Sequence, residues 1–373
     1  MKPIYLDYNA STPLASEVKD EIVKVLDYFG NPSSSHLYGK NAKEKIEFAR
    51  TQVSELLNCL PEEIVFTSGG TESNNYSIRG IAYTNLDKGN HIITSSVEHP
   101  AVINVCKYLE KRGFEVTYLP VDKYGMINPD DLKKSIKSTT TLITVMHANN
   151  EVGTIQPIND VSKIAREYNV PLHSDAAQST GKISTDVKML GVDLLSVAGH
   201  KLYAPKGIGV LYVKKGLKLA KLMHGAEHER NRRPGTENII DIVALGKACE
   251  LAKENLYLYT SHMKKMRDLL HEKLKSLSLD IILNGHPTER LPNTLNIGFK
   301  GVEANHFLAA MPELAASAGA ACHSGAVNIS SVLSDMNIPV EYAKGSVRFS
   351  TGRETSENDI VKTVEMIKTL LTQ

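Results

Sequence analysis

Four stretches of this sequence set reactive side chains beside residues that could make them useful. The first, Phe66-Thr67-Ser68-Gly69-Gly70-Thr71-Glu72-Ser73-Asn74, reads as a strand passing through two glycines into a helix. Glycines let a backbone come close to an anion, and Thr71 with the first free N–H groups of a helix can donate to a phosphate. The stretch is neither GxxxxGK[ST] nor GxGxxG, and taken alone it also reads as a glycine turn with a threonine cap. The second, His173-Ser174-Asp175-Ala176-Ala177-Gln178, closes a strand-forming run, and ligands of open α/β sheets gather at such carboxyl ends. Asp175 is there either a site carboxylate or the cap of the next helix. The third, Ala198-Gly199-His200-Lys201, also follows a strand. An amine in a tight apolar position gives up its charge readily and suits bonding to a carbonyl carbon, although most single lysines face solvent. The fourth, Ser317-Ala318-Gly319-Ala320-Ala321-Cys322-His323-Ser324-Gly325, holds a thiol among small residues with a histidine that favours the thiolate. Its other reading is a helix-packing cysteine in an alanine-rich core.

The first three stretches make sense together. A phosphate cradle, a strand-end carboxylate and a lysine of low charge are what pyridoxal phosphate requires: the lysine carries the aldehyde and the carboxylate keeps the pyridine nitrogen protonated. Glu98-His99-Pro100 sets an imidazole where it could stack on such a ring, or simply starts a helix with proline in its first turn. His147-Ala148-Asn149-Asn150-Glu151 offers amides at another strand end. His224 and His228 are four apart, but Gly225 lies between them and no acidic ligand is evident, so no metal is expected.

These residues need a frame. Strand-like runs at 62–68, 91–96, 115–120, 140–146, 170–176, 193–199 and 207–213 alternate with helical patterns at 15–28, 39–58, 73–84, 100–112, 129–137 and 157–168. The alternation predicts an α/β fold with a mostly parallel sheet. From Ile242 to Leu277 apolar positions recur every three or four residues, the pattern of one long amphipathic helix or two nearly collinear ones. Such a helix can leave a large domain, 13–257, and enter a smaller α+β one made of 1–12 and 258–373.

Composition excludes several classes. Of 373 residues 43 are Lys or Arg and 42 Asp or Glu, so no net field exists to hold a nucleic acid. No signal-like core and no 18-residue apolar stretch occurs, which predicts a soluble cytoplasmic protein without membrane contact. Four cysteines, Cys59, Cys106, Cys249 and Cys322, show no CxxC spacing and are too few for a disulfide framework. Cys106 and Cys249 fall on apolar helix faces, Cys59 lies at a helix end, and Cys322 belongs to no apolar stripe.

Taken in order, the segments YLDYNASTPL, GNPSSSH, FTSGGTESNN, EHPAV, HANNEVGTIQPI, HSDAAQSTGK, GHKLYAPKGIG, RRPGTENI, LPNTLNI, GAACHSG and GSVRFSTGR resemble the NifS/IscS-type cysteine desulfurases and selenocysteine lyases of the class V aminotransferase group. They cover nearly the whole chain. The resemblance implies a fold-type I transferase dependent on pyridoxal phosphate. It implies that Lys201 bonds the aldehyde, Asp175 pairs with the pyridine nitrogen, His99 stacks on the ring and Gln178 bonds the ring oxygen. Gly70, Thr71 and His200 would hold the phosphate, with Gly199 and Asn150 also around the cofactor. Thr236 would reach the phosphate of a partner subunit, making a homodimer. Arg348, helped by Asn31 and Asn150, would clamp the substrate carboxylate. Cys322 would take sulfur from L-cysteine as a persulfide and leave L-alanine, with a sulfur acceptor such as an iron–sulfur scaffold as partner. L-Selenocysteine is the alternative substrate, and an ordinary class V aminotransferase, needing Lys201 but not Cys322, is a further reading. Two departures stand out: Ala198 replaces the family's usual serine, and GAACHS with ERNRRPGTEN look closer to the selenocysteine lyases.

Overall fold

The computed structural model describes residues 3–318, 320–323 and 326–371, with backbone alone between 319 and 328. A short amino-terminal strand, β1 (Ile4–Tyr5), opens the chain. Seven strands then form one sheet: β2 (Ile64–Thr67), β3 (His91–Ser95), β4 (Glu115–Leu119), β5 (Thr140–Thr144), β6 (Leu172–Asp175), β7 (Leu194–Ala198) and β8 (Gly209–Val213). Their order is β2-β8-β7-β6-β5-β3-β4. All run the same way except β8, which lies antiparallel between β2 and β7. Chain length explains the reversal. A parallel return needs a crossover of a dozen or more residues, and only residues 199–208 separate β7 from β8.

Both sheet faces are covered, so neighbouring strand residues go to opposite cores. Ile93, Ile143, Leu172 and Leu195 pack on one side with the helices Leu37–Leu57 and Ile239–Lys275. Ile92, Leu142, Leu194 and Leu211 pack on the other with the helices Gly70–Thr84 and Pro100–Glu110. Cys106 is buried there and Cys249 in the first core, and burial pushes both thiols up to about 12.

The helix Ile239–Lys275 is a single element. Its first part, Ile242 to Ala252, fills the large core, and Met266, Leu270 and Leu274 fill a separate one. That second core lies under an antiparallel sheet of β9 (Ile281–Asn284), β10 (Thr294–Phe299), β12 (Ser317–Ala318) and β15 (Ser346–Ser350). β11 (Leu314–Ala315) pairs in parallel with β1, which ties the amino terminus to this second body. β13 (Ala320–His323) and β14 (Ala326–Ile329) form a hairpin. Cys322 stands on β13 opposite Val327. Its side chain lies outside the described residues.

Candidate active site

Five of the six parallel strands of the large sheet, β2, β3, β5, β6 and β7, lead into one cavity of about 310 Å³. β2 leads to Gly70 and Thr71, β3 to His99, β5 to Met146, Ala148 and Asn150, β6 to Asp175 and Gln178, and β7 to Ala198, His200 and Lys201. This is the carboxyl-end crevice expected of an open α/β sheet. Asn9, Ala10 and Arg348 complete the wall from the amino-terminal segment and the small sheet.

At the cradle, Gly69 has φ +148°, a conformation that side chains rarely adopt, and an added Cβ there would meet nothing within 4 Å. The helix Gly70–Thr84 starts at this open point, so its first-turn N–H groups and positive dipole end face the cavity. His200 beside it has its pKa pushed down to about 4 by burial and then by Lys201, Lys206 and Lys182. It is therefore a neutral hydrogen-bonding group at neutral pH.

Asp175 is buried, and both of its oxygens are held. Oδ2 accepts from Asn74 Nδ2 at 2.6 Å, and Oδ1 accepts from the Ala177 N–H at 2.9 Å. The carboxylate lines the cavity and anchors the turn that follows it; no helix starts there, the next being Val187–Leu190 with Asp186 as its cap, so the reading of Asp175 as a helix cap is corrected. His99 does double duty as well. Its Nδ1 accepts from the Ala101 N–H at 3.1 Å as the cap of the helix Pro100–Glu110, which leaves the proton on Nε2. Burial lowers its pKa even though the ring edge reaches solvent across the open cavity.

Lys201 Nζ donates to the backbone oxygens of Asn9 at 2.5 Å and Ala10 at 2.7 Å. Burial, and then the Arg348 guanidinium, push its pKa down to about 8, so a useful fraction is uncharged nucleophile near neutrality. Arg348 donates from Nη1 to Asn150 O at 2.9 Å and from Nη2 to Asp7 Oδ1 at 2.8 Å and Ser317 Oγ at 2.9 Å. Its Nε is buried with no hydrogen-bond partner among the described residues.

Three expected residues lie elsewhere. Asn31 is exposed on its own turn, where its Oδ1 accepts from the Ser33 N–H, and it does not line the cavity. Gly199 is buried behind the wall, where a Cβ would meet Ile208 Cγ2 at 2.8 Å; it is glycine for packing. Thr236 is exposed outside the cavity. Its segment is fastened to the cradle region through Arg233 on Glu72 and through Glu229, which takes a bidentate bond from buried Arg50. His228 Nδ1 accepts from the Gly235 N–H, and among the described residues no group of three His, Cys, Asp or Glu is placed to hold a metal ion.

Sequence reasoning passed over Asn9, Ala10 and Asn74. For Asn74 a signal existed, since it follows Gly70 by four residues and so shares its helix face. For Asn9 and Ala10 local pattern held none: they reach the cavity only because β1 joins the second body.

A strand-end carboxylate, a lysine of lowered pKa and a helix amino terminus converging on one crevice define a pyridoxal-phosphate enzyme of the α/β type. The family model Aminotransferase class-V matches residues 4–362, and the chain belongs to that family. It is 45% identical over 373 residues, 99% of this chain and 95% of the relative, to "Cysteine desulfurase IscS" of Dictyoglomus turgidum. It is 46% identical over 369 residues to the protein of that name from Methanosarcina thermophila, covering 98% of this chain and 91% of that one. Among solved structures it is similar to a "NIFS-LIKE PROTEIN", with TM-score 0.93, 34% identity and 99% of both chains covered. It is also similar to "SspA in complex with cysteine", with TM-score 0.82, 35% identity, and 94% of this chain and 99% of that one covered. The residues present fit the family's cofactor. The open backbone at Gly69 leaves room for a phosphate, and Asp175 is held in place to meet a ring nitrogen.

Proposed function

We infer that this chain is a cysteine desulfurase, converting L-cysteine to L-alanine and passing the sulfur to an acceptor through Cys322. The observation that carries the reading is the opening of Lys201 and Arg348 onto one cavity: an amine poised to bond a carbonyl beside a guanidinium suited to an amino-acid carboxylate. When bound, pyridoxal phosphate supplies the electron sink.

The chain's own groups supply the rest. With the cofactor bound, Asp175 would pair with the pyridine nitrogen, His99 would stack on the ring, Gln178 would donate to the ring oxygen, and Gly70, Thr71 and His200 would hold the phosphate. Arg348 receives the substrate carboxylate with Asn150 beside it. Lys201 Nζ moves the α-proton. The Cys322 thiolate then attacks the substrate sulfur, the Cβ–S bond breaks with its electron pair left on carbon, and one proton on Cβ together with the return of the α-proton by Lys201 completes alanine. One sulfur atom moves onto Cys322 as a persulfide, and no outside oxidant or reductant is required.

Thr236, exposed on a segment fastened to the cradle, suits a group that reaches the phosphate of a second copy, so the enzyme works as a homodimer. A division into 13–257 and 1–12 with 258–373 is part of the same proposal, supported by the separate core of Met266, Leu270 and Leu274. No helix among the described residues is long and apolar enough to cross a membrane; the cytoplasm is the proposed compartment and an iron–sulfur scaffold the proposed acceptor. The test is alanine formation from L-cysteine and L-selenocysteine by the native enzyme and Cys322→Ala. Loss of the cysteine reaction alone is expected; cysteine turnover that survives without the thiol would refute the persulfide route.

A further inference from the structure

Lys182 is a buried amine that the mechanism above does not use, and burial pushes its pKa well down. Its side chain is 3% exposed, and among the described residues no carboxylate lies within ion-pair distance of it. The charges it meets are those of Lys201 and Arg348, both of its own sign. Such a group is costly unless its hydrogen bonds are good. Among the described residues Nζ has two partners, and both are amide oxygens: Gln178 Oε1 at 3.0 Å and Asn9 Oδ1 at 3.2 Å.

Those two bonds have a consequence for the cavity. Nζ meets both oxygens through its N–H groups, two of which even an uncharged amine keeps, so Gln178 turns its oxygen toward Nζ and its NH2 group the other way. One Nε2 hydrogen goes to Asn9 O at 2.9 Å, and the second is left for an acceptor in the cavity that Gln178 lines. Asn9 is fixed by the same logic. Its Oδ1 also accepts from Asn293 Nδ2 at 2.9 Å, its Nδ2 donates to Thr294 Oγ1 at 2.8 Å, and its N–H donates to Ser350 Oγ at 2.9 Å. Asn9 O then receives both Gln178 and Lys201.

We propose that Lys182 is a positioning residue: by clamping the side-chain oxygens of Gln178 and Asn9, it fixes the Gln178 amide with an N–H toward the cofactor's ring oxygen and holds the small-domain segment against Lys201. The inference rests on the reading of the cavity as the pyridoxal-phosphate site. Lys182→Met keeps the stem and removes the donors.

The readout is the pH midpoint of the bound cofactor's absorbance, followed in native enzyme, Lys182→Met, Gln178→Leu and the double variant, with a melting temperature for each. Lys182→Met and Gln178→Leu are expected to shift the midpoint in the same direction by about half a pH unit or more, and the double variant to add nothing beyond the larger single shift. A Lys182→Met protein that melts lower but keeps its midpoint within about 0.1 unit, or additive shifts, would overturn the proposal. Should Lys182→Met fail to fold, native enzyme labelled with 15N at its four glutamines decides the matter. The Gln178 side chain, assigned by its loss in Gln178→Leu, is expected to give one pair of N–H signals; two interconverting pairs would refute a fixed amide. Enzyme purified with no cofactor absorbance at all would instead refute the reading of the site.

Discussion

Replacing Lys201 by methionine in cofactor-free protein isolates the electrostatic cost of the site. An ordinary lysine titrates near 10.5, and burial with the like charge of Arg348 brings Lys201 to about 8. The folded state therefore disfavours the charged amine, and the unfolded chain holds its proton over the window between those values. Stability rises with pH wherever the unfolded chain binds more protons, so the native protein should gain on the variant as pH rises from 8 to 10.5. The difference in pKa corresponds to about 3 kcal/mol, present in full below pH 8 and falling to about 0.4 kcal/mol at pH 10.5. Methionine also loses the bonds to Asn9 O and Ala10 O, but that offset of about 1 kcal/mol each does not vary with pH. Other titrating groups are common to both proteins and cancel in first order. Urea unfolding of the two proteins side by side at pH 7, 8, 9, 10 and 10.5 measures the difference. A gap between the proteins that stays flat to within about 0.5 kcal/mol across the series would refute the argument that burial depresses this amine.

Arg348→Lys keeps the charge but can serve only part of the fork now shared between Asn150 O, Asp7 and Ser317. KM for L-cysteine should rise about 10- to 100-fold with kcat within about threefold, and equal losses in both would place Arg348 in the chemical step instead. Arg50→Met leaves the Glu229 carboxylate buried without its partner, at a cost of about 3–5 kcal/mol. Because Glu229, Arg230 and Asn231 all have positive φ, the segment that carries Thr236 should loosen, and slower cofactor rebinding together with a lower unfolding midpoint is the expected result. A stability loss below about 1 kcal/mol would mean that the pair contributes little.

Much of this was legible in the sequence for reasons that differ by residue. Asp175 and Lys201 stand at the ends of buried apolar runs, and the parallel-sheet rule converts such a position into a crevice. Their pairing needed no contact information. The reversal of β8 could be read from its short connection, but the alternation of elements alone hides it. Asn31 and Gly199 were carried over by resemblance, and the cavity does not include them: one is held by its own turn, the other is a packing glycine. Asn9 was out of reach because its partners lie 141 to 341 residues away in sequence, and no periodicity encodes a hydrogen bond across that distance.

The division of labour between the two bodies follows from the same geometry. The large sheet supplies the groups that would hold the cofactor, each at a strand end and each fixed by its own neighbours. Arg348 and Asn9 come from the other side and are fixed by β15, Asn293 and Thr294, which belong to the smaller sheet and its flanks. The two sides meet at Lys201, whose amine donates to Asn9 O and Ala10 O. Lys182 and Gln178 bind Asn9 as well, through its Oδ1 and O, so the amino-terminal segment is held to the large body by bonds that do not depend on Lys201.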